Sequence, residues 1–273
     1  MGAANPLVLI FDSGIGGLTV FREIAKLRPD ARYAYIADDA RFPYGDLADE
    51  EMIARVCELV GTAIGRERPD CVVIACNTAS TLVLPHLRAA YAMPFVGTVP
   101  AVKPAAALSR TQRISVLATP GTVRRDYTRE LVASFAEGCR VELVGSAKLA
   151  ALAEDELSGR PAPDAEILAE IAPCFRDDGG ALTDVVVLGC THYALLSARL
   201  TKLAPWPVTW LDPAPAIARR AAALLGNLPQ PVAEARLDAA IAFTSDRKPA
   251  AALVAALRSA GLEMRNQQAA VAF

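Results

Sequence analysis

Two hydrophobic rhythms alternate along this chain. Compact runs of apolar residues at 7–11, 33–37, 71–75, 95–97, 114–118, 141–144, 185–189 and 208–211 read as strands. Between them, at 17–27, 50–66, 79–91, 123–135, 165–175 and 214–225, apolar residues recur every three or four positions, the spacing of one helix face. An uninterrupted apolar strand has to be covered on both sides, because successive side chains point to opposite faces. Such strands alternating with helices predict an α/β fold with doubly wound, mainly parallel sheets.

The order is duplicated. "VLIFDSGIGG" ends an apolar run in Asp12-Ser13 and leads to "VVIACNT"; "ISVLATPGTV" ends one in Thr119-Pro120 and leads to "VVVLGCT". Each half thus puts polar groups and one cysteine, Cys76 or Cys190, at the carboxyl ends of corresponding strands, where open α/β sheets hold ligands. The Pro-rich stretches 97–104 and 206–215 lie at changes between units and read as hinges. The expected organisation is two pseudo-symmetric domains, 1–99 completed by 211–273, and 100–210. The active site is expected in the cleft between them, with the two cysteines on opposite walls. A tail after Met264 is expected to fray.

Composition narrows the function. Of 273 residues, 53% are hydrophobic, enough for sizeable cores, and the net charge of −2 leaves no basic footprint for nucleic acid or an anionic membrane. No apolar run approaches the ~20 residues needed to span a bilayer. No basic start or cleavage site precedes the first strand, so no signal peptide is expected and the expected location is cytoplasmic. There the six cysteines, Cys57, Cys71, Cys76, Cys139, Cys174 and Cys190, stay reduced. None forms a CxxC pair, and His86 and His192 are far apart, so no structural zinc site is expected.

A lone buried cysteine is usually a small hydrophobe, which is the reading for Cys57, Cys71, Cys139 and Cys174. Cys76 and Cys190 differ. Each ends a strand, precedes polar residues and opens a helix, whose N-terminus favours the thiolate. One such cysteine suggests a nucleophile. Two on facing walls suggest proton removal from one face of a carbon and delivery to the other, which inverts a stereocentre. Asn77, Thr78 and Thr191, with helix-start N–H groups, can bind a carboxylate. In "RFPYGD" the Tyr44 hydroxyl and Gly45 amide can bind a second, and Thr119 and Thr122 are further donors.

Asp12 reads either as an N-cap or as the partner of a substrate ammonium group. His192, two residues past Cys190, can shuttle its proton, whereas His86 reads as a helix-surface residue. Glu154, by pattern alone, is an exposed helix carboxylate. In "DSGIGG", Thr19 stands where the dinucleotide fingerprint needs its third glycine, and no Walker lysine follows, so the glycines read as a tight turn.

"FDSGIGGLTV", "ARFPYG", "IACNTAS", "LATPGTV" and "LGCTHY", in that order, resemble the glutamate racemase family. "GTVPAVKPA", "LVGSAKLAALAEDELSG" and "LDPAPAIARR" extend the resemblance towards residue 220. It implies cofactor-independent interconversion of L- and D-glutamate, with D-glutamate going into peptidoglycan. By the same resemblance Cys76 matches the thiol that deprotonates D-glutamate and Cys190 the one that acts on L-glutamate. Asp12, Glu154 and His192 match polar catalytic helpers. Asp12, Ser13, Tyr44, Gly45, Asn77, Thr78, Thr119, Thr122, Thr191 and His192 match substrate contacts. A homodimer is implied as well.

There are departures. Ala194 follows the aromatic residue of the second cysteine motif, where many members have proline. Ser146-Ala147 replaces a Cys-Pro pair, as in the branch similar to the enterobacterial enzymes. That branch resembles proteins activated by a muramyl-peptide nucleotide, which makes such a nucleotide a candidate activator, although the N-terminal extension of some of them is not in this sequence. Other readings stay open: an aspartate racemase or another racemase of the superfamily, a non-catalytic amino acid-binding regulator, and a pyridoxal enzyme built on Lys26, Lys103, Lys148, Lys202 or Lys248.

Overall fold

The computed structural model describes residues 5–226 and 237–265. Strands β1 (Leu7–Asp12), β2 (Arg32–Ala37), β3 (Cys71–Ile74), β4 (Phe95–Gly97), β9 (Asp238–Phe243) and β10 (Glu263–Met264) form one sheet in the order β10-β9-β2-β1-β3-β4. Strands β5 (Arg113–Ala118), β6 (Arg140–Gly145), β7 (Val185–Gly189) and β8 (Thr209–Leu211) form another, in the order β6-β5-β7-β8. All pairings within both sheets are parallel. The fold is therefore α/β with two parallel-sheet domains.

The apolar runs explain the layering. All six residues of β1 are buried, and alternate ones feed different cores. Val8 and Ile10 pack with Phe21, Ile24 and Ile217 on one face, while Leu9 and Phe11 pack with Val56, Val60 and Val83 on the other. Each such side chain, fully buried, contributes about 1.5–3 kcal/mol, so the sheet is stable only with helices on both sides.

Both sheets have a central strand flanked by its two sequence successors, β2-β1-β3 and β6-β5-β7, which opens a crevice at the carboxyl ends. In register, Phe11 faces Ile74 and Ala118 faces Gly189. Asp12 and Cys76 therefore emerge near each other from one sheet, and Thr119 and Cys190 from the other.

Several elements differ from the sequence reading. The alanine-rich β9 was not expected as a strand, because alanine has little strand preference; it is held by pairing along the whole of β2. The stretch read as a hinge at 97–104 already starts the helix Val102–Leu108. The helix expected at 123–135 is two, Pro120–Arg124 and Asp126–Phe135, separated by Arg125 in an extended conformation (φ −74, ψ 142). The one expected at 165–175 stops at Ile171 and tightens into a 3-10 turn around Pro173, which lacks the N–H to continue. The expected fraying tail lies, beyond Arg265, outside the described residues.

Candidate active site

The turn after β1 is built on Asp12. Its Oδ1 accepts from Ser13 N–H at 2.8 Å and its Oδ2 from Gly17 N–H at 2.7 Å. Gly17 precedes the helix Leu18–Leu27, so Asp12 holds that helix start from five residues back. The neighbouring glycines lie in the expected turn before that helix, and they answer a further need. Neither Gly14 nor Gly16 has a left-handed backbone. A Cβ on Gly14 would run into the Glu154 carboxylate, and one on Gly16 into the His192 ring and backbone. The glycines let two helices of the other unit, Leu149–Leu157 and Thr191–Ala194, approach closely.

Cys76 is the N-cap of the helix Asn77–Ala90, and its Sγ lies 3.6 Å from Ser13 Oγ, the acceptor of its S–H. The helix-lowered thiolate expected at this position is not what the structure holds. Burial, reinforced by nearby Asp12, pushes the Cys76 thiol up to about 12; the Ala79 N–H and the Ser13 hydroxyl oppose this and are outweighed. Burial likewise raises Asp12 to about 6, with His192 pulling the other way.

Cys190 is the N-cap of the short helix Thr191–Ala194. Its Sγ lies 3.7 Å from His192 Nδ1, and His192 Nε2 lies 3.0 Å from Glu154 Oε1. The Glu154 oxygen also accepts the Ile15 N–H at 3.0 Å, which ties the helix Leu149–Leu157 to the β1 turn. Burial disfavours a charged His192, yet its bonds to Cys190 and Glu154 win and raise its pKa well above the ordinary histidine value. Protonated, it donates to sulfur from one nitrogen and to the carboxylate from the other. Gly16 N–H, 3.2 Å from Nε2, bonds it only when that nitrogen carries no proton.

Both thiols line one small pocket. Ser13, Tyr44, Gly45, Asn77, Thr78, Thr119, Thr191 and His192 line it too, so most of the residues singled out in the sequence converge there. Asp12, Glu154 and Thr122 stand one hydrogen bond behind the lining. The hydroxyls of Thr78, Thr119 and Thr122 form a triangle with sides of 2.9, 3.0 and 3.2 Å. Asn77 is 2% exposed, and neither atom of its side-chain amide has a hydrogen-bond partner among the described residues. A buried amide without partners is costly unless a ligand completes it.

One expected contact is corrected. The Tyr44 hydroxyl donates to Asp38 Oδ2 at 2.5 Å, so its proton is not directed at a ligand carboxylate. Asp38 also accepts from Arg55 at 2.8 and 3.1 Å and from Thr244 Oγ1 at 2.5 Å. This buried cluster, missed in the sequence, fixes the Tyr44 ring as a pocket wall. Asp38 directly follows β2, and the strand-end rule that singled out Asp12 applies equally to it. Phe42, also missed, sets its ring against His192 with centroids 5.2 Å apart. His86 is exposed on its helix, as expected.

The family model described as Asp/Glu/hydantoin racemase matches residues 19–221, so the class that fold and site define is that of these racemases. Over 219 residues, 80% of this chain and 79% of the relative, the sequence is 58% identical to a glutamate racemase of Brucella ovis. The crystal structure of Escherichia coli glutamate racemase in complex with L-glutamate and the activator UDP-MurNAc-Ala superimposes with a TM-score of 0.86, at 39% identity, covering 95% of this chain and 97% of that one. Glutamate racemase from Thermus thermophilus, in complex with β-chloro-D-alanine, gives a TM-score of 0.72 at 28% identity, with 96% of each chain covered. The chain belongs to the Asp/Glu racemase family and, within it, to the glutamate racemases, which are isomerases.

Proposed function

We propose that this enzyme racemises glutamate with Cys76 and Cys190 as an acid–base pair and without a cofactor. The observation that carries this reading is that the two sulfurs come from different sheets and line the same small pocket, each with its own polar partner. In the L-to-D direction the Cys190 sulfur takes the α-proton, leaving a carbanion, and the Cys76 thiol delivers its proton to the opposite face. The reverse reaction exchanges the roles. The raised Cys76 thiol suits the donor, and a protonated His192 beside Cys190 supplies the positive charge that a basic sulfur requires.

The α-proton of glutamate is far less acidic than a thiol, so the carbanion must be stabilised electrostatically and shielded from water. Asn77, Thr191 and the N–H groups at the two helix starts are assigned to the α-carboxylate region. The hydroxyls of Thr78 and Thr119, backed by that of Thr122, and the Gly45 amide are assigned to the side-chain carboxylate, with Ser13 near the ammonium group and Asp12 behind it. Glu154 keeps His192 oriented. We take 1–99 with 211–273 as one domain and 100–210 as the other, closing on each other about the segments at 97–104 and 206–215. A pyridoxal Schiff base needs a lysine, and none lines the pocket.

The role assigned is supply of D-glutamate for peptidoglycan, by a homodimer working in the cytoplasm, where thiols stay reduced. No helix among the described residues is long and apolar enough to cross a membrane. The E. coli relative was crystallised with UDP-MurNAc-Ala as activator, and the Ser146-Ala147 departure puts this chain in a branch similar to that enzyme; we assign it the same kind of activator. Incubation with L-glutamate in D2O, without added cofactor, tests the central reading. Loss of optical rotation with deuterium entering Cα is expected. Neither inversion nor exchange would leave only a binding protein.

A further inference from the structure

We infer that Arg125 is the clasp that holds the two sheets' units closed over the pocket, and so a positioning residue for turnover. The inference rests on the reading of the pocket given above. Arg125 belongs to the four-stranded unit, at the extended break between the helices Pro120–Arg124 and Asp126–Phe135. Among the described residues, all its side-chain hydrogen-bond partners belong to the six-stranded unit. Nη1 donates to the Thr78 carbonyl and, at 2.7 Å, to Thr81 Oγ1; Nη2 pairs with Asp49 Oδ1 at 2.9 Å.

The place it grips decides its role. Thr78 lies two residues after Cys76, in the first turn of the helix that Cys76 caps. Its hydroxyl faces Thr119 and Thr122 at the pocket, while its carbonyl is held by Arg125. One residue is thus stitched to the opposite unit from both sides. A planar guanidinium can serve a carbonyl, a hydroxyl and a carboxylate together, which a lysine ammonium on a flexible stem does less well.

Beyond this seam lies a larger outer cleft, lined by Gly45, Gly121, Arg124 and Arg125 among others. Gly45 lines both the cleft and the pocket, so this seam is the partition between them. It is tight: a Cβ on Gly121 would lie 3.1 Å from the Gly45 carbonyl, and one on Gly45 would lie 3.2 Å from Thr119 Cβ. The thiols behind it are only 5% and 7% exposed. Substrate passing from cleft to pocket has to part Gly45 from Gly121, and Arg125 is what draws them together again. Since only the closed arrangement presents both thiols, apparent affinity scales with the fraction of molecules that are closed.

The test is alkylation of the full-length protein by iodoacetamide, with and without saturating D-glutamate, Cys76 and Cys190 being read by peptide mapping, alongside steady-state kinetics. For Arg125→Ala we expect both thiols in the glutamate-bound protein to react about tenfold faster than in the wild type, with KM raised about tenfold and kcat changed far less. Arg125→Lys should fall between, and Arg129→Ala, exposed on the helix Asp126–Phe135 and outside the cleft lining, should match the wild type. A fall in kcat with KM and alkylation unchanged, or values all within about twofold of the wild type, would overturn the clasp. If Arg125→Ala does not fold, Arg125→Lys and Asp49→Asn carry the same measurements, and protection and KM unchanged in both would overturn it equally. Should the wild type fail to racemise glutamate, faster alkylation of the ligand-free Arg125 variant would still support the clasp, and an unchanged rate would reject it.

Discussion

Gly16 and His192 are packed so closely that a Cβ on the glycine would lie 2.6 Å from the histidine's backbone nitrogen. Backbone cannot swing aside as a side-chain tip can. Gly16→Ala is therefore expected to cost about 1–3 kcal/mol of stability and to displace the imidazole from Cys190. Gly14→Ala meets first the carboxylate end of Glu154, which can rotate away, so it should cost less than about 1 kcal/mol while still lowering kcat. Urea denaturation beside a racemisation assay separates the two; equal loss of stability in both would contradict this account.

The two thiols should be separable by isotope exchange. Cys76→Ala and Cys190→Ala are each expected to lower racemisation by at least about 10²–10⁴-fold, while Cys57→Ala stays near wild type. With Cys190 alone, L-glutamate should still take up deuterium from D2O while D-glutamate does not; with Cys76 alone the preference should reverse. Racemisation at the wild-type rate by either variant would end the two-base mechanism.

Asp12 links activity to pH-dependent stability. Burial raises its pKa above the usual carboxylate range to about 6, so the folded state holds this proton more tightly than the unfolded state. The protonated form's advantage is lost as pH rises, and stability should decline between about pH 4 and pH 6 by up to ~3 kcal/mol, then level off. Asp12→Asn removes the titration. Its stability relative to wild type should rise across that window and stay constant above it, less about 1 kcal/mol for the acceptor it lacks towards Ser13 or Gly17. Thermal denaturation at pH 4, 5, 6 and 7 measures the difference; a gap that does not change with pH would reject the burial argument. Racemisation by the variant should be strongly reduced.

Asn77 offers the opposite balance. Its two amide atoms are buried without a partner among the described residues, at a cost of about 1–3 kcal/mol that a ligand would recover. Asn77→Ala should therefore leave the melting temperature unchanged or higher, and raise KM for glutamate about ten- to a hundredfold. A destabilised variant with normal KM would assign the side chain a structural role instead.

The strands of the first half and the strand-end position of both thiols were legible because they depend on local patterning. Apolar runs of five residues at 7–11 and 185–189 are too short for helices and read as buried strands, and Cys76 and Cys190 follow such runs directly. Glu154 was legible only through resemblance: nothing in its own helix distinguishes it, and its partners, Ile15 and His192, come from other parts of the chain. Strand β9 was illegible because its alanines acquire strand character only beside β2. Arg125 was hidden inside what reads as one continuous helix.

By itself, then, the sequence determined the two-sheet α/β architecture and the set of groups gathered at the strand ends, since periodicity and turn chemistry act over a few residues. The tertiary structure alone decided how those groups are used. Cys76 is a raised thiol because helix, Asp12 and burial compete at one point in space. The Tyr44 proton goes to Asp38, the glycines yield room to Glu154 and His192, and Arg125 reaches across to Thr78. Each outcome depends on contacts between segments distant in the chain, where burial strengthens electrostatics and close packing fixes which partner is met.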